Sequence, residues 1–91
     1  MIQKFIDDDR GYLNWLNANP TGFVVNCNRS PHASYLILHR ATCNTIRGVP
    51  ARGKRWTADY IKVCSLSRAE LESWARREVG GEVSPCELCN P

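Results

Sequence analysis

The sequence predicts a small α+β domain with an N-terminal helix, a three-stranded and mainly antiparallel sheet, a second helix and a cysteine-bearing turn at its C-terminal end. Two amphipathic stretches with capping residues indicate the helices. Three short runs rich in β-branched and aromatic residues indicate the strands. Because the chain has 91 residues, 43% of them hydrophobic, we expect one folded domain spanning residues 1–91.

The first predicted helix covers residues 7–18. One of the three aspartates at residues 7–9 can cap its first turn, where negative charge also suits the helix dipole. Asn19-Pro20 ends the helix. Four side chains recur at helical spacing and form an apolar stripe that we expect to pack on the sheet: Tyr12, Leu13, Trp15 and Leu16.

The three predicted strands cover residues 23–28, 34–39 and 60–64. Turn residues 29–32 join the first two strands, so we expect a hairpin. Side-chain alternation places His39 at the end of the second strand, on the face opposite Leu36 and Leu38. We expect two strand cysteines to be small buried hydrophobic residues: Cys27 and Cys64.

The second predicted helix begins at Ser67, which forms a capping box with Glu70. We expect Leu66 before the cap to pack on Leu71 as a hydrophobic staple. Gly80-Gly81 ends the helix. Three side chains share the face that we expect to be buried: Leu71, Trp74 and Ala75.

The net charge of +3 is unevenly distributed along the chain. Residues 29–62 carry seven basic side chains and one acidic side chain, whereas the segments on either side are both net negative. Such asymmetry is typical of a surface that faces nucleic acid. Residues 47–55 are predicted to form a flexible basic loop. This loop either binds a ligand or is only a solvent-exposed connection between strands. The candidate nucleic-acid contacts are six basic side chains and one aromatic side chain that can stack on a base: Arg29, Arg40, Arg47, Arg52, Lys54, Arg55 and Trp56.

Five cysteines are present. No apolar run approaches the roughly 20 residues that cross a bilayer, and acidic residues 7–9 stand where a signal peptide needs an apolar core. We therefore expect a cytoplasmic protein without a membrane partner. In that compartment, cysteines at metal-ligand spacing favour a metal site over a disulfide framework.

Four candidate metal ligands form two half-sites. His39 and Cys43 are four positions apart, and a Cys-x2-Cys turn at Cys86 and Cys89 naturally directs both sulfurs at one ion. The spacing predicts a Zn²⁺ site that joins the hairpin to a C-terminal zinc knuckle. The alternatives are a labile dithiol for the cysteine pair and a hydrogen-bonded strand histidine for His39, with His32 as the replacement ligand.

These motifs resemble a known family. His39-x3-Cys43, a following strand and helix, and the closing Pro85-Cys86-x2-Cys89-x-Pro91 are similar to the zinc-binding amino-terminal module of Ada-type DNA methyl-phosphotriester repair proteins. The resemblance covers residues 22–91 and leaves the first helix outside. It implies zinc bound by the four residues, a nucleic-acid role and a bacterial or phage origin.

One position departs from the family pattern. In that family the first cysteine of a Cys-x3-Cys motif binds zinc and accepts the methyl group, whereas this chain has His39 there. A neutral imidazole cannot form the stable thioether that a zinc thiolate forms, and with three thiolates the site charge rises from −2 to −1. The departure implies a zinc module without methyl transfer.

We therefore expect a non-enzymatic, zinc-stabilised module that binds nucleic acid, DNA before RNA, through residues 29–62. An alternative is a small protein-interaction module, such as an inhibitor or adaptor in a phage or bacterial defence context. A catalytic role finds little support because the sequence contains no metalloprotease HExxH, no His-Asn-His pattern and no nucleophile motif.

Overall fold

A computed structural model describes residues 1–48 and 55–91. Within these residues the chain forms an α+β fold with two helices, as predicted, but it has five strands rather than three. A 3-10 turn, Asn44–Ile46, follows the third strand, and the second helix continues as a π-helical turn, Ala75–Val79. The elements in chain order are β1 (Gln3–Phe5), α1 (Asp9–Ala18), β2 (Phe23–Asn28), β3 (Leu36–Arg40), β4 (Tyr60–Ser65), α2 (Arg68–Trp74) and β5 (Ser84–Pro85).

The five strands form one mixed sheet in the order β1-β4-β2-β3-β5. The three predicted strands occupy its centre and pair antiparallel, so the expected hairpin of β2 and β3 is confirmed. The two additional strands lie at the edges, where β1 pairs antiparallel with β4 and β5 pairs parallel with β3. Both are three residues long or shorter, and such segments carry too few positions for alternation to indicate a strand.

Each face of the sheet carries one hydrophobic layer. Helix α2 covers one face, where Cys27, Leu36 and Leu38 are buried together with Leu71 and the rest of its predicted apolar face. Helix α1 covers part of the opposite face, and its buried side chains there pack with Cys64. The predicted burial of both strand cysteines is therefore confirmed, on opposite sides of the sheet.

Helix α1 begins at Asp9, two residues later than predicted. Asp8 is the capping residue, and its Oδ1 accepts a hydrogen bond of 2.9 Å from the Gly11 N–H. Asp7 precedes the helix because its φ of 54° lies in the left-handed region. The prediction that an aspartate caps this helix is confirmed.

The start of α2 differs in detail from the predicted capping box. The Ser67 hydroxyl accepts from the Glu70 N–H at 3.2 Å, as expected. The Glu70 carboxylate, however, accepts from the Ser65 hydroxyl at 2.7 Å, and the Ser67 N–H donates to the same hydroxyl at 3.0 Å. Leu66 is 59% exposed, so the expected hydrophobic staple is wrong. Among the helices of residues 1–48 and 55–91, none is long and apolar enough to traverse a bilayer.

Candidate metal centre

The fold brings the four predicted metal ligands together. His39 lies at the end of β3, Cys43 in the turn that follows, and Cys86 and Cys89 in the tail after β5. Their ligand atoms all lie within 4.8 Å of one another. A tetrahedral zinc site with Zn–S bonds of about 2.3 Å separates its sulfurs by roughly 3.8 Å, so a small contraction would complete the shell. His32, the alternative ligand, lies outside the cluster and shares a hydrogen bond with Ser34.

Backbone pairing holds the C-terminal tail against β3. Ile37 is in register with Ser84 and Leu38 with Pro85, and the Cys86 N–H donates to the Leu38 carbonyl at 2.8 Å. This parallel pairing therefore places the first cysteine of the tail beside the strand that carries the histidine. The short strand β5, which the sequence pattern did not indicate, is the element that joins the two half-sites.

The two tail cysteines form a tight turn. The Asn90 N–H donates to the Cys86 carbonyl at 3.0 Å and closes the turn. The Arg40 N–H donates to the Cys89 sulfur at 3.3 Å. Because a sulfur accepts hydrogen bonds better as a thiolate than as a thiol, such N–H donors favour the charged form that binds metal.

Arg40 also holds the tail with its side chain. Its Nε donates to the Cys89 carbonyl at 2.9 Å and its guanidinium to the Asn90 carbonyl at 2.8 Å. Arg68, on α2, donates to the carbonyl of Pro91. Hydrogen bonds from two arginines therefore hold the tail, with Cys86 and Cys89, beside His39 and Cys43.

His39 fits a neutral metal ligand. Its side chain is 6% exposed, and the buried Nδ1 atom has no hydrogen-bond partner. Burial, reinforced by the positive charge of Lys62, lowers the pKa of His39 to about 4. The imidazole is therefore uncharged at neutral pH, which is the form that binds a metal. An unpaired nitrogen at this depth is costly unless it faces an ion.

The thiols differ in their surroundings. Burial opposes ionisation of Cys86, but the N–H groups of Cys89 and Leu88 direct their hydrogens at its sulfur and hold the pKa of the thiol below its ordinary value. Burial and the neighbouring thiols together raise the pKa of Cys89 to about 11, although the Arg40 N–H acts to lower it. The Cys43 sulfur lies 3.0 Å from the Thr45 hydroxyl. A bound cation would favour ionisation of all three thiols.

This donor set can hold a metal ion and is consistent with zinc. Three sulfurs and one imidazole nitrogen are typical of structural zinc sites, and the same soft ligands also suit Cu(I) and iron. An ion at this position would connect β3 with the tail.

Arg29 and Arg55, two candidate nucleic-acid contacts, lie beside the acidic N-terminal segment. The Arg29 guanidinium binds the Asp7 carboxylate, with 2.5 Å between Nη2 and Oδ2, and donates to the Ala58 carbonyl at 3.0 Å. The Arg29 ion pair lowers the pKa of Asp7. Arg55 approaches Asp7 and Asp9 at 3.8 and 3.9 Å. Both guanidinium groups remain about half exposed.

Two further candidate nucleic-acid contacts, Arg40 and Arg47, bond other parts of the protein. Arg47 donates to the Ala41 carbonyl at 3.3 Å and to the Asn17 side chain at 3.0 Å. Arg40 binds the tail, as described above. Arg52 and Lys54 lie outside the residues that the structure describes.

Trp56 is a buried residue of the hydrophobic core. Its side chain is 9% exposed, its indole N–H donates to the Gly48 carbonyl at 3.0 Å, and its backbone N–H donates to the Asp9 carboxylate at 2.7 Å. The sequence placed Trp56 beside cations as a group that can stack on a base, but its ring is packed in the core. Its burial argues against that role, and its hydrogen bonds join it to Gly48 and to the start of α1.

The sequence analysis did not identify two further features of β4. Lys62 is buried, and its Nζ donates to the Trp56 carbonyl at 2.6 Å and lies 5.8 Å from the ring centroids of Tyr12 and Trp56. Tyr60 is exposed and pairs with Tyr35 of the loop before β3. The signal in the sequence that could have linked these two residues is strand alternation, which places Tyr60 and Lys62 on the same face of β4.

Comparison of the chain with protein-family models, with curated proteins and with solved structures gave no significant match.

Proposed function

We propose that this chain is a non-enzymatic binding module whose fold is stabilised by one zinc ion. The observation that carries the proposal is the cluster of four side chains within 4.8 Å: His39, Cys43, Cys86 and Cys89. Zinc bound there would form a C-terminal knuckle on the sheet and supply stability rather than reactivity. The resemblance to the Ada-type zinc module agrees with the same four residues.

The proposed absence of methyl transfer follows from the ligand chemistry. His39 occupies the position where the family that the chain resembles has its acceptor cysteine. Three thiolates and one neutral imidazole would give a zinc complex of charge −1. Less negative charge makes the remaining sulfurs less nucleophilic than those of a four-thiolate site.

For the partner of the module we propose nucleic acid, with DNA before RNA. Residues 29–62 carry seven basic side chains against one acidic side chain. The ion pairs of Arg29 and Arg55 with Asp7 lie at the surface, where such pairs contribute little to stability. Both side chains can therefore exchange a carboxylate for a phosphate at small cost, and Arg52 and Lys54 add charge to the same segment of sequence.

A zinc assay followed by a salt titration tests this proposal. We expect about one zinc per chain and DNA binding that weakens by roughly 0.9 log units per log unit of salt for each phosphate contacted. Neutralising Arg52, Lys54 and Arg55 together should weaken binding and reduce that slope by up to about 3. Neutralising Arg76 and Arg77, which pair with acidic residues beyond the basic segment, is the control. Binding that does not depend on salt, or an unchanged slope in the triple variant, would contradict the nucleic-acid proposal.

A second candidate function is protein interaction, and the exposed apolar side chains favour it. Leu66 and Leu88 are both more than half exposed, on the β4–α2 connection and on the cysteine turn. Capture of one stoichiometric protein partner, weakened by Leu88→Ala and without any DNA binding at low salt, would favour this function over the first.

A further inference from the structure

Two tyrosines form an exposed aromatic pair on the sheet. Tyr60 begins β4 and Tyr35 immediately precedes β3, and their ring centroids are 5.6 Å apart with an angle of 47° between the rings. Alternation places both on the face that also carries His39, to one side of α1. Tyr35 is 36% exposed and Tyr60 is 45% exposed, whereas all three tryptophans are buried. The pair therefore leaves ring surface open to a ligand.

The groups around the rings are polar and can hydrogen-bond. The Asn26 amide nitrogen lies 3.4 Å from the Tyr35 hydroxyl, to which it donates. Asn28 stands directly opposite Tyr60 in the ladder between β2 and β4. Both asparagines are only partly buried, so polar residues rather than aliphatic ones border the two rings on β2.

A basic residue, Arg29, adjoins this aromatic pair along the backbone. Arg29 follows Asn28 directly, and its N–H donates to the carbonyl of Asp59, the residue before Tyr60. Its guanidinium is half exposed and binds Asp7 at the surface. A basic residue next to the strand position opposite an exposed ring matches a polymer that carries phosphates next to flat apolar bases.

We infer that the Tyr35–Tyr60 surface binds the unpaired bases of a single-stranded nucleic acid, and this inference rests on the proposed nucleic-acid function. Every base has a ring face that can stack on an aromatic side chain. In a duplex those faces are covered by neighbouring bases, so the surface takes single strands in preference to duplex. The Asn26 amide bonds the Tyr35 hydroxyl and Asn28 stands opposite Tyr60 in the ladder, so polar groups border the stacking surface, while Arg29 contacts the nucleic-acid backbone.

Fluorescence anisotropy with the zinc-loaded chain tests the inference. The probes are a labelled single-stranded DNA oligonucleotide and a hairpin duplex of the same base composition, and the variants are Tyr35→Ala, Tyr60→Ala and Tyr60→Phe. We expect each alanine variant to bind the single strand roughly 5- to 150-fold more weakly, because one stacking contact is lost. Tyr60→Phe keeps the ring and should retain most of the affinity. The salt slope should stay unchanged because no phosphate contact is removed.

Leu66→Ala is the control, since it removes an exposed apolar side chain outside the aromatic pair. Thermal unfolding of each variant establishes that it is folded under the binding conditions. If the wild-type chain binds both probes and the alanine variants bind as tightly, the inference fails and the nucleic-acid proposal stands. Stronger wild-type binding to the duplex than to the single strand also overturns the inference alone. If the wild-type chain binds neither probe at low salt, the nucleic-acid proposal fails and the inference fails with it.

Discussion

Arg40 should strengthen metal binding without touching the metal. Its side chain donates to two tail carbonyls, those of Cys89 at 2.9 Å and Asn90 at 2.8 Å, and so holds the Cys-x2-Cys turn against β3. Replacing Arg40 with alanine removes both bonds. The backbone N–H that donates to the Cys89 sulfur remains, so the substitution tests the side chain alone.

The expected loss follows from the two bonds. Charge-assisted hydrogen bonds contribute about 1.5–3 kcal/mol where they are well shielded, and solvent at an exposed arginine reduces each to roughly 0.5–1 kcal/mol. Losing both should cost about 1–2 kcal/mol, which corresponds to a zinc dissociation constant raised roughly 5- to 30-fold. This falls at the lower end of what supporting side chains around metal ligands typically contribute.

Competition with a chromophoric chelator measures the zinc dissociation constants of wild type and of Arg40→Ala. Arg76→Ala is the matched control because it removes one positive charge at a residue that pairs with Glu82 rather than with the tail. Arg40→Lys should recover little, since a lysine cannot span two carbonyls with the fork of a guanidinium. An unchanged constant for Arg40→Ala, or an equal loss in Arg76→Ala, would refute the idea that Arg40 positions the turn.

Two further changes test the site and the core. Cys86→Ala should abolish stoichiometric zinc binding and lower the melting temperature because metal binding and folding are coupled. The control is Cys27→Ala, which removes a buried thiol outside the cluster and should keep one zinc per chain. Equal zinc content in the two variants would contradict the ligand set. Lys62→Met should stabilise the chain near pH 7, since burial lowers the pKa of Lys62 to about 8 from 10.5. As the pH rises from about 8 to 10.5, the unfolded chain keeps the Lys62 proton that the folded chain has released, so the unfolding free energy of wild type rises by up to about 3 kcal/mol relative to that of the variant. Denaturant titrations at a series of pH values measure this difference. A difference that stays constant with pH would count against a buried charge.

The central strands, both helices and the two halves of the candidate metal site could be predicted because each depends on local pattern, whereas β5, which joins the two halves, could not. Val24 and Val25 lie in a run of β-forming residues, and Ser67 directly precedes a helical stripe. The Cys-x2-Cys spacing is typical of a turn that directs two sulfurs at one ion. Local preference and final structure agree at these positions.

The edge strands could not be predicted because they depend on their partners. Gln3 has no strand preference of its own and pairs with Cys64 only once β4 is in place. Pro85 lacks the N–H of a regular strand residue and is accommodated at an edge, opposite Leu38. Neither segment is long enough to show a period.

Trp56 and Lys62 show why charge patterns in a sequence do not locate a surface. A tryptophan next to basic residues indicated a binding loop, but the indole is buried in the core beside Tyr12, and Asp9 binds the adjacent backbone N–H. Lys62 counted as part of the positive segment, yet its ammonium is enclosed beneath α1. Both positions were decided by tertiary packing, which alternation along one strand cannot reveal.

The parallel pairing of β5 with β3 has a consequence for the unfolded chain. The ligands come from two short segments, and more than forty residues lie between Cys43 and Cys86, including β4 and all of α2. An ion that joins those segments closes a loop around half of the domain. In the chain-entropy model, closing a loop of this length costs about 4 kcal/mol, which is comparable with the whole net stability of a domain of this size. Because metal binding and folding are coupled, the unfolded chain does not hold the ion, and the binding free energy of the folded site would have to offset that closure cost before it adds to stability.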